Sequence, residues 1–120
     1  MGFRKNRLEE ELKREITDIL QMEIKDPRIS KLTSVTDVEL SGDLRYAKVY
    51  VSVMGSEEER RNTLEGLKKA TGFIRSEIGK RIKLRYTPEI TFHLDLSIQR
   101  GIEITQLLKK VQSDEGVGEE

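Results

Sequence analysis

The sequence predicts an α+β domain in which helices cover one face of a three-stranded mixed sheet. Three observations carry that prediction: a leading segment of helical periodicity, two alternating segments joined at Ser41-Gly42-Asp43, and a long second helical segment that runs into a third alternating one. The last feature fixes the topology. A crossover from the second strand through helix to the third makes those two strands parallel neighbours, whereas the short turn makes the first two antiparallel.

Taken in order, Leu8, Leu12, Ile16, Ile19 and Leu20 recur at helical spacing among Glu, Lys and Arg, giving an apolar stripe with a charged back. This first helix should end near Asp26-Pro27, because proline disfavours helical backbone at the residue before it and donates no amide bond. Arg28 to Ser34 reads as a connecting loop. Alternation then runs from Val35 to Leu40 and resumes through Ala47, Val49, Val51 and Val53.

Ser56-Glu57-Glu58-Glu59 has the form of a capping box, so a helix begins near Glu57. Leu64, Leu67 and Ala70 are its inward positions, and Arg60, Arg61, Lys68 and Lys69 face solvent. Periodicity resumes after Gly72 with Phe73, Ile74, Ile78 and Ile82, which reads as a bend at Ala70, Thr71 and Gly72 between two helices. Thr87-Pro88 breaks the second, and Ile90, Phe92 and Leu94 alternate as a third strand. Ile102, Leu107, Leu108 and Val111 suit a short helix. The expected organisation is therefore a domain over 1–96, a helical extension over 97–112 and a disordered acidic tail over 113–120.

Composition narrows the function classes. A chain of 120 residues with 35% apolar content supports one modest core. Without cysteine there is no disulfide framework, thiolate chemistry or thiolate metal site, which suits a reducing cytoplasm. No stretch approaches the ~20 apolar residues needed to span a bilayer, so a soluble cytoplasmic protein with no membrane partner is expected. Lys plus Arg equals Asp plus Glu at 22 each, but the charges are segregated. Lys68, Lys69, Arg75, Lys80, Arg81, Lys83 and Arg85 meet the single anion Glu77 within their span, and the carboxylates of Asp114, Glu115, Glu119 and Glu120 lie in the tail.

Those seven cations are the candidate RNA-binding residues. Exposed helix faces usually mix signs, so one anion among so many cations favours phosphate contact over an ordinary solvated face. Arg4, Lys5 and Arg7 form a weaker second candidate at a charged chain end. His93 has no cysteine or paired carboxylate beside it, and neither a phosphate-binding Gly-x-x-x-x-Gly-Lys loop nor a nucleophile elbow is present. No catalytic residue, metal ligand or cofactor is expected.

The run LKKATGFIRSEIGKRIKLRYTPEITFHLD, from Leu67 to Asp95, resembles the bacterial ribosome-binding factor A family. So do the opening RLEEELKREITDIL, Asp26-Pro27-Arg28, the turn within VTDVELSGDLRYAKVYVSV, and Tyr86-Thr87-Pro88-Glu89. The order of elements resembles a type II KH-like domain with α-β-β-α-kink-α-β connectivity. That resemblance implies a monomeric cytoplasmic assembly factor that binds the small (30S) ribosomal subunit and 16S rRNA or its precursor. It further implies help in late maturation, including processing of the rRNA 5′ end, and a link to growth in the cold. A KH domain usually clamps a single strand through Gly-x-x-Gly, which this chain lacks. Ala70-Thr71-Gly72 is the Ala-x-Gly form carried by the resembled family instead. Gly72 then either serves backbone geometry or lets the amides near Gly72 and Phe73 approach a phosphate. The competing reading is a protein-interaction module that docks on a ribosomal protein or another assembly factor. Reversal of Arg81 and Lys83 to Glu is expected to abolish subunit co-sedimentation without unfolding.

Overall fold

The computed structural model describes residues 2–97. The expected helical extension and acidic tail lie outside the described residues, except for residue 97. The element order is α1 (Gly2–Met22), β1 (Thr33–Leu40), β2 (Tyr46–Val53), α2 (Glu57–Arg81) and β3 (Glu89–Leu94). The α+β expectation holds, with sheet order β1-β2-β3, β1 antiparallel to β2 and β2 parallel to β3.

Alternation places Val35, Val38, Leu40, Ala47, Val49, Val51, Ile90 and Phe92 on one buried face of the sheet. Leu12, Ile16 and Ile19 from α1 and Leu67, Ile74 and Ile78 from α2 close the core over that face. Glu39, Lys48 and Thr91 are exposed on the strands. Register slips at Thr36, which stands as an extra residue between the Val35–Val51 and Asp37–Tyr50 pairs. The Thr36 hydroxyl uses this bulge to donate to Asp95 Oδ2 at 2.6 Å, tying β1 to the end of β3. The Asp95 carboxyl is held below its ordinary range by that bond and by the Ser97 amide.

Three boundaries depart from the periodicity. α1 stops at Met22 instead of near Asp26-Pro27, because the amides of Glu23 and Ile24 both donate to the Ile19 carbonyl at 2.9 and 3.2 Å and close the last turn early. The hairpin turn places its left-handed residue at Leu44 (φ 62°), although Gly42 tolerates that conformation most readily. Leu44 packs against the core, and this burial offsets the backbone cost. The largest departure concerns the expected helix pair. α2 is one hydrogen-bonded helix of 25 residues that passes through Ala70, Thr71 and Gly72 without a break.

α2 is fastened at both ends. Ser56 Oγ accepts from the Glu59 amide while the Glu59 carboxylate accepts from the Ser56 amide, as its capping box requires. The chain leaves the helix at Ile82, whose extended backbone turns its side chain into the core. Near the start, the buried Thr63 hydroxyl accepts from the Ser30 amide and donates to the Arg28 carbonyl. Gly66 leaves room for Ile29, since a Cβ there would lie 2.8 Å from Ile29 Cγ1. The loop after α1 is thereby pinned to the first half of α2.

Candidate nucleic-acid interface

The seven predicted cations divide by what their side chains meet. Lys68, Lys69 and Lys80 are exposed on α2, and Lys83 and Arg85 are exposed in the connection to β3. Their ion pairs are loose: Lys69 Nζ is 4.0 Å from Glu65, and Lys80 Nζ is 3.5 Å from Glu77 with its side chain 74% exposed. Such surface pairs contribute little, so these ammonium groups remain available to an external anion.

Arg75 and Arg81 point inward. Arg75 Nε donates to the Pro88 carbonyl and Nη2 to the Thr87 carbonyl, each at 3.1 Å, which clasps the segment before β3 onto α2. Arg81 Nη1 donates to Glu15 at 3.2 Å and to Asp18 at 2.5 Å, while Nη2 donates to Glu23 at 2.6 Å. Asp18 foremost, and then Glu15, stabilise the charged guanidinium and push its proton affinity up. Arg81 is thus the tie between α2 and three carboxylates on or just after α1. Reversing it would set a fourth carboxylate among them, so the expected binding loss without unfolding does not apply to that residue.

Ala70 and Thr71 are half-buried, and the Thr71 hydroxyl donates back to the Leu67 carbonyl at 3.0 Å. Gly72 is exposed, and a Cβ built there would meet nothing within 4 Å. Close packing therefore does not explain this glycine. Phe73, expected on the inward stripe, is 47% exposed beside it.

Leu64 and the residues of β3, absent from the sequence-based site, complete the surface. Leu64, Lys68 and Thr71 of α2 face Ile90 to Leu94 of β3 across an open groove of 700 Å³. Among the described residues β3 is an edge strand, so its outer side has no strand partner there. The alternation of β3 and its place beside β2 were readable in the sequence, but the groove it forms with α2 was not. The candidate surface is a shallow, largely apolar groove with Lys68 on its helix side, next to the exposed helix backbone at Gly72. Among the described residues, no group of His, Cys, Asp and Glu is arranged to hold a metal ion.

Residues 4–108 match the family model described as Ribosome-binding factor A. The chain belongs to the ribosome-binding factor A family. A relative named Ribosome-binding factor A from Acetivibrio thermocellus is 65% identical over 107 residues, covering 89% of this chain and 87% of the relative. A Thermotoga maritima protein solved in solution is 44% identical with a TM-score of 0.70, over 78% of this chain and 88% of that one. A homology model of the Thermus thermophilus ribosome binding factor A, as fitted into the cryo-EM map of its 30S complex, is 29% identical with a TM-score of 0.62, over 75% of this chain and 93% of that one. The type II KH-like arrangement expected from the order of elements agrees with this family's fold. Among the described residues, no helix is long and apolar enough to cross a membrane.

Proposed function

We propose that this ribosome-binding factor A family member is a non-enzymatic assembly factor that binds the small ribosomal subunit through its 16S rRNA. Membership of the family, one of whose members was fitted into a 30S complex, supports the partner. The single structural observation that carries the contact surface is the set of exposed cations Lys68, Lys69, Lys80, Lys83 and Arg85 on α2 and the connection after it, on the same helix as the bare backbone at Gly72. Lysines on such a surface meet phosphates, and the groove along β3 recognises the local shape of a folded RNA. Binding energy favours one conformation of the immature subunit and is lost when the mature subunit no longer presents it. Assistance to 5′-end processing of the precursor 16S rRNA follows as a consequence of that shift, in the cytoplasm and by a monomer.

Arg75 and Arg81 act one step removed, by holding the segment before β3 and α1 against α2. Co-sedimentation with immature 30S subunits tests the contact surface. Lys68→Glu combined with Lys83→Glu should abolish binding at physiological salt while circular dichroism stays unchanged; undiminished binding would remove this surface. A chain deletion should also raise the fraction of 16S rRNA with an unprocessed 5′ end, most strongly in the cold. A protein-docking reading draws on one observation: Leu32 and Met54 are both exposed and are joined by a Met54 amide to Leu32 carbonyl bond at 3.3 Å. Binding that survives nuclease digestion of the subunit would favour it.

A further inference from the structure

A second cluster lies at the ends of β2 and β3 where the two strands begin, lined by residues other than those of the groove between α2 and β3 and reached by Arg85 from the cation surface. Arg45, Tyr46, Tyr86, Thr87 and Glu89 line an open cleft of 330 Å³. Parallel pairing sets Tyr46 opposite Glu89, and the Glu89 amide donates to the Arg45 carbonyl at 2.8 Å, so backbone holds the two sides together. Tyr46 and Tyr86 are 55% and 64% exposed, although neither is needed by the core. The Arg85 guanidinium stands 5.8 Å from the centre of the Tyr86 ring.

The chemistry of this cleft differs from that of the lysine surface. Two exposed rings supply flat apolar faces, and every base has a π-face that can stack on them. Arg45 and Arg85 flank the rings with charge suited to the adjoining phosphates. The Glu89 carboxylate has no side-chain partner among the described residues and repels phosphate from the cleft itself, while it accepts from N–H groups on a base edge. The volume is near the lower end of small-ligand pockets, roughly 300–1,000 Å³, which suits one nucleoside and excludes a helix.

We infer that this cleft takes a single unpaired RNA base, stacked on Tyr46 or Tyr86, with its flanking phosphates on Arg45 and Arg85. The inference extends the proposed rRNA binding by giving the chain a stacking contact in addition to its phosphate contacts. The protein then holds both a paired or folded region on the lysine surface and an extruded base at the strand ends. Neither ring needs its hydroxyl for this role, which makes phenylalanine a sufficient replacement.

The test uses the full chain, a fluorescein-labelled hexauridylate followed by anisotropy, and immature 30S subunits followed by sedimentation. Tyr46→Ala and Tyr86→Ala should together weaken both interactions roughly tenfold or more, whereas Tyr46→Phe and Tyr86→Phe should leave both within about twofold. The wild-type chain irradiated with the same oligomer carrying one 4-thiouridine should form its adduct at Tyr46 or Tyr86, a readout that needs no variant to fold. Equal losses in the Phe and Ala variants, unchanged binding by the Ala variants, or adducts confined to other residues would overturn the inference. So would a loss of subunit binding in the Ala variants when the wild-type chain ignores the oligomer, since the cleft would then contact protein. If the lysine reversals still abolish subunit binding, the proposed function survives these failures. Oligomer binding at the tyrosines without any subunit binding would instead leave the cleft standing and remove the ribosomal reading.

Discussion

The exposed cations of α2 and its following connection, its outer flank, and the cations bonded within the chain, its inner flank, carry similar charge and opposite duties. Among the described residues Lys68, Lys69 and Lys83 project into solvent with a loose pair or none, whereas Arg75 and Arg81 spend their donors on carbonyls and carboxylates of the same chain. The division follows residue chemistry. A guanidinium presents a planar fork that satisfies several acceptors at once, while an ammonium is a mobile, strongly hydrated point charge. Arginine therefore suits the inner flank, where Arg81 bridges Glu15, Asp18 and Glu23. Lysine suits the outer one, where a partner's phosphates vary in position. Charge segregation in the sequence thus marks two surfaces, only one of which faces a partner.

The largest effect should come from emptying the outer flank. Reversing Lys68, Lys69 and Lys83 to Glu should lower affinity for immature 30S subunits by roughly a hundredfold or more, past detection by co-sedimentation at physiological salt. The slope of log affinity against log salt should fall by about 1 for each phosphate contact removed. Thermal unfolding should stay within about 0.5 kcal/mol of the parent, since the three side chains are exposed. A change in stability comparable to that at Arg75 would erase the distinction between the flanks.

The inner flank should answer in the opposite way. Arg75→Ala removes two charge-assisted bonds and leaves the Thr87 and Pro88 carbonyls without those donors, a loss of about 1.5–3 kcal/mol in chemical denaturation. Arg75→Lys should recover little of it, because one ammonium does not reproduce the fork. Subunit affinity measured well below the unfolding midpoint should fall far less than in the lysine variants. Arg81→Met, which keeps much of the stem and leaves three carboxylates unpaired, should also destabilise, and added salt should soften that loss.

How much of this was legible follows from the range of the interactions involved. Element order, the capping box at Ser56 and the pairing directions were readable, because periodicity and turn residues are local signals and the crossover rule restricts topology. The end of α1 was misplaced by the strong proline signal at Pro27, since the closing bonds at Ile19 arise from the chain's route toward α2. Phe73 was assigned inward by spacing alone, yet Ile74 and Ile78 already fill the available core surface, which leaves the ring outside. The seven cations were found, but their division was not. Nothing local to Arg81 announces Glu15, Asp18 and Glu23, which lie some sixty residues away in the chain. The Tyr46–Tyr86 cleft was hidden for the same reason, because strand pairing alone brings its two sides together.

Acid should act on the fold more than on the outer flank, and by a smaller amount. Asp95, at the end of β3, has its folded-state pKa depressed below the ordinary 3.8 by the Thr36 hydroxyl first and the Ser97 amide after it. A depressed carboxylate contributes stability that is present above the unfolded value and is lost as pH falls through the folded one. Stability should therefore decline below about pH 3.8, in the window set by Asp95. Asp95→Asn should flatten part of that decline, while lysine reversals on the outer flank should leave it in place, as measured by denaturation midpoints across the acid range.

The smallest change tests why the outer flank carries a glycine. An exposed glycine inside a helix costs about 0.5–1 kcal/mol relative to alanine, and the space around Gly72 is open, so Gly72→Ala should stabilise the chain by about that amount. If the bare backbone serves contact with RNA, the added methyl group stands between the helix and its phosphate, and subunit affinity should fall even as the unfolding midpoint rises. A variant that is both more stable and equally tight would assign Gly72 to helix geometry alone and leave the lysines to carry the outer flank. Opposite movement of the two quantities, which no packing role at this open position would produce, would make the glycine part of the binding surface.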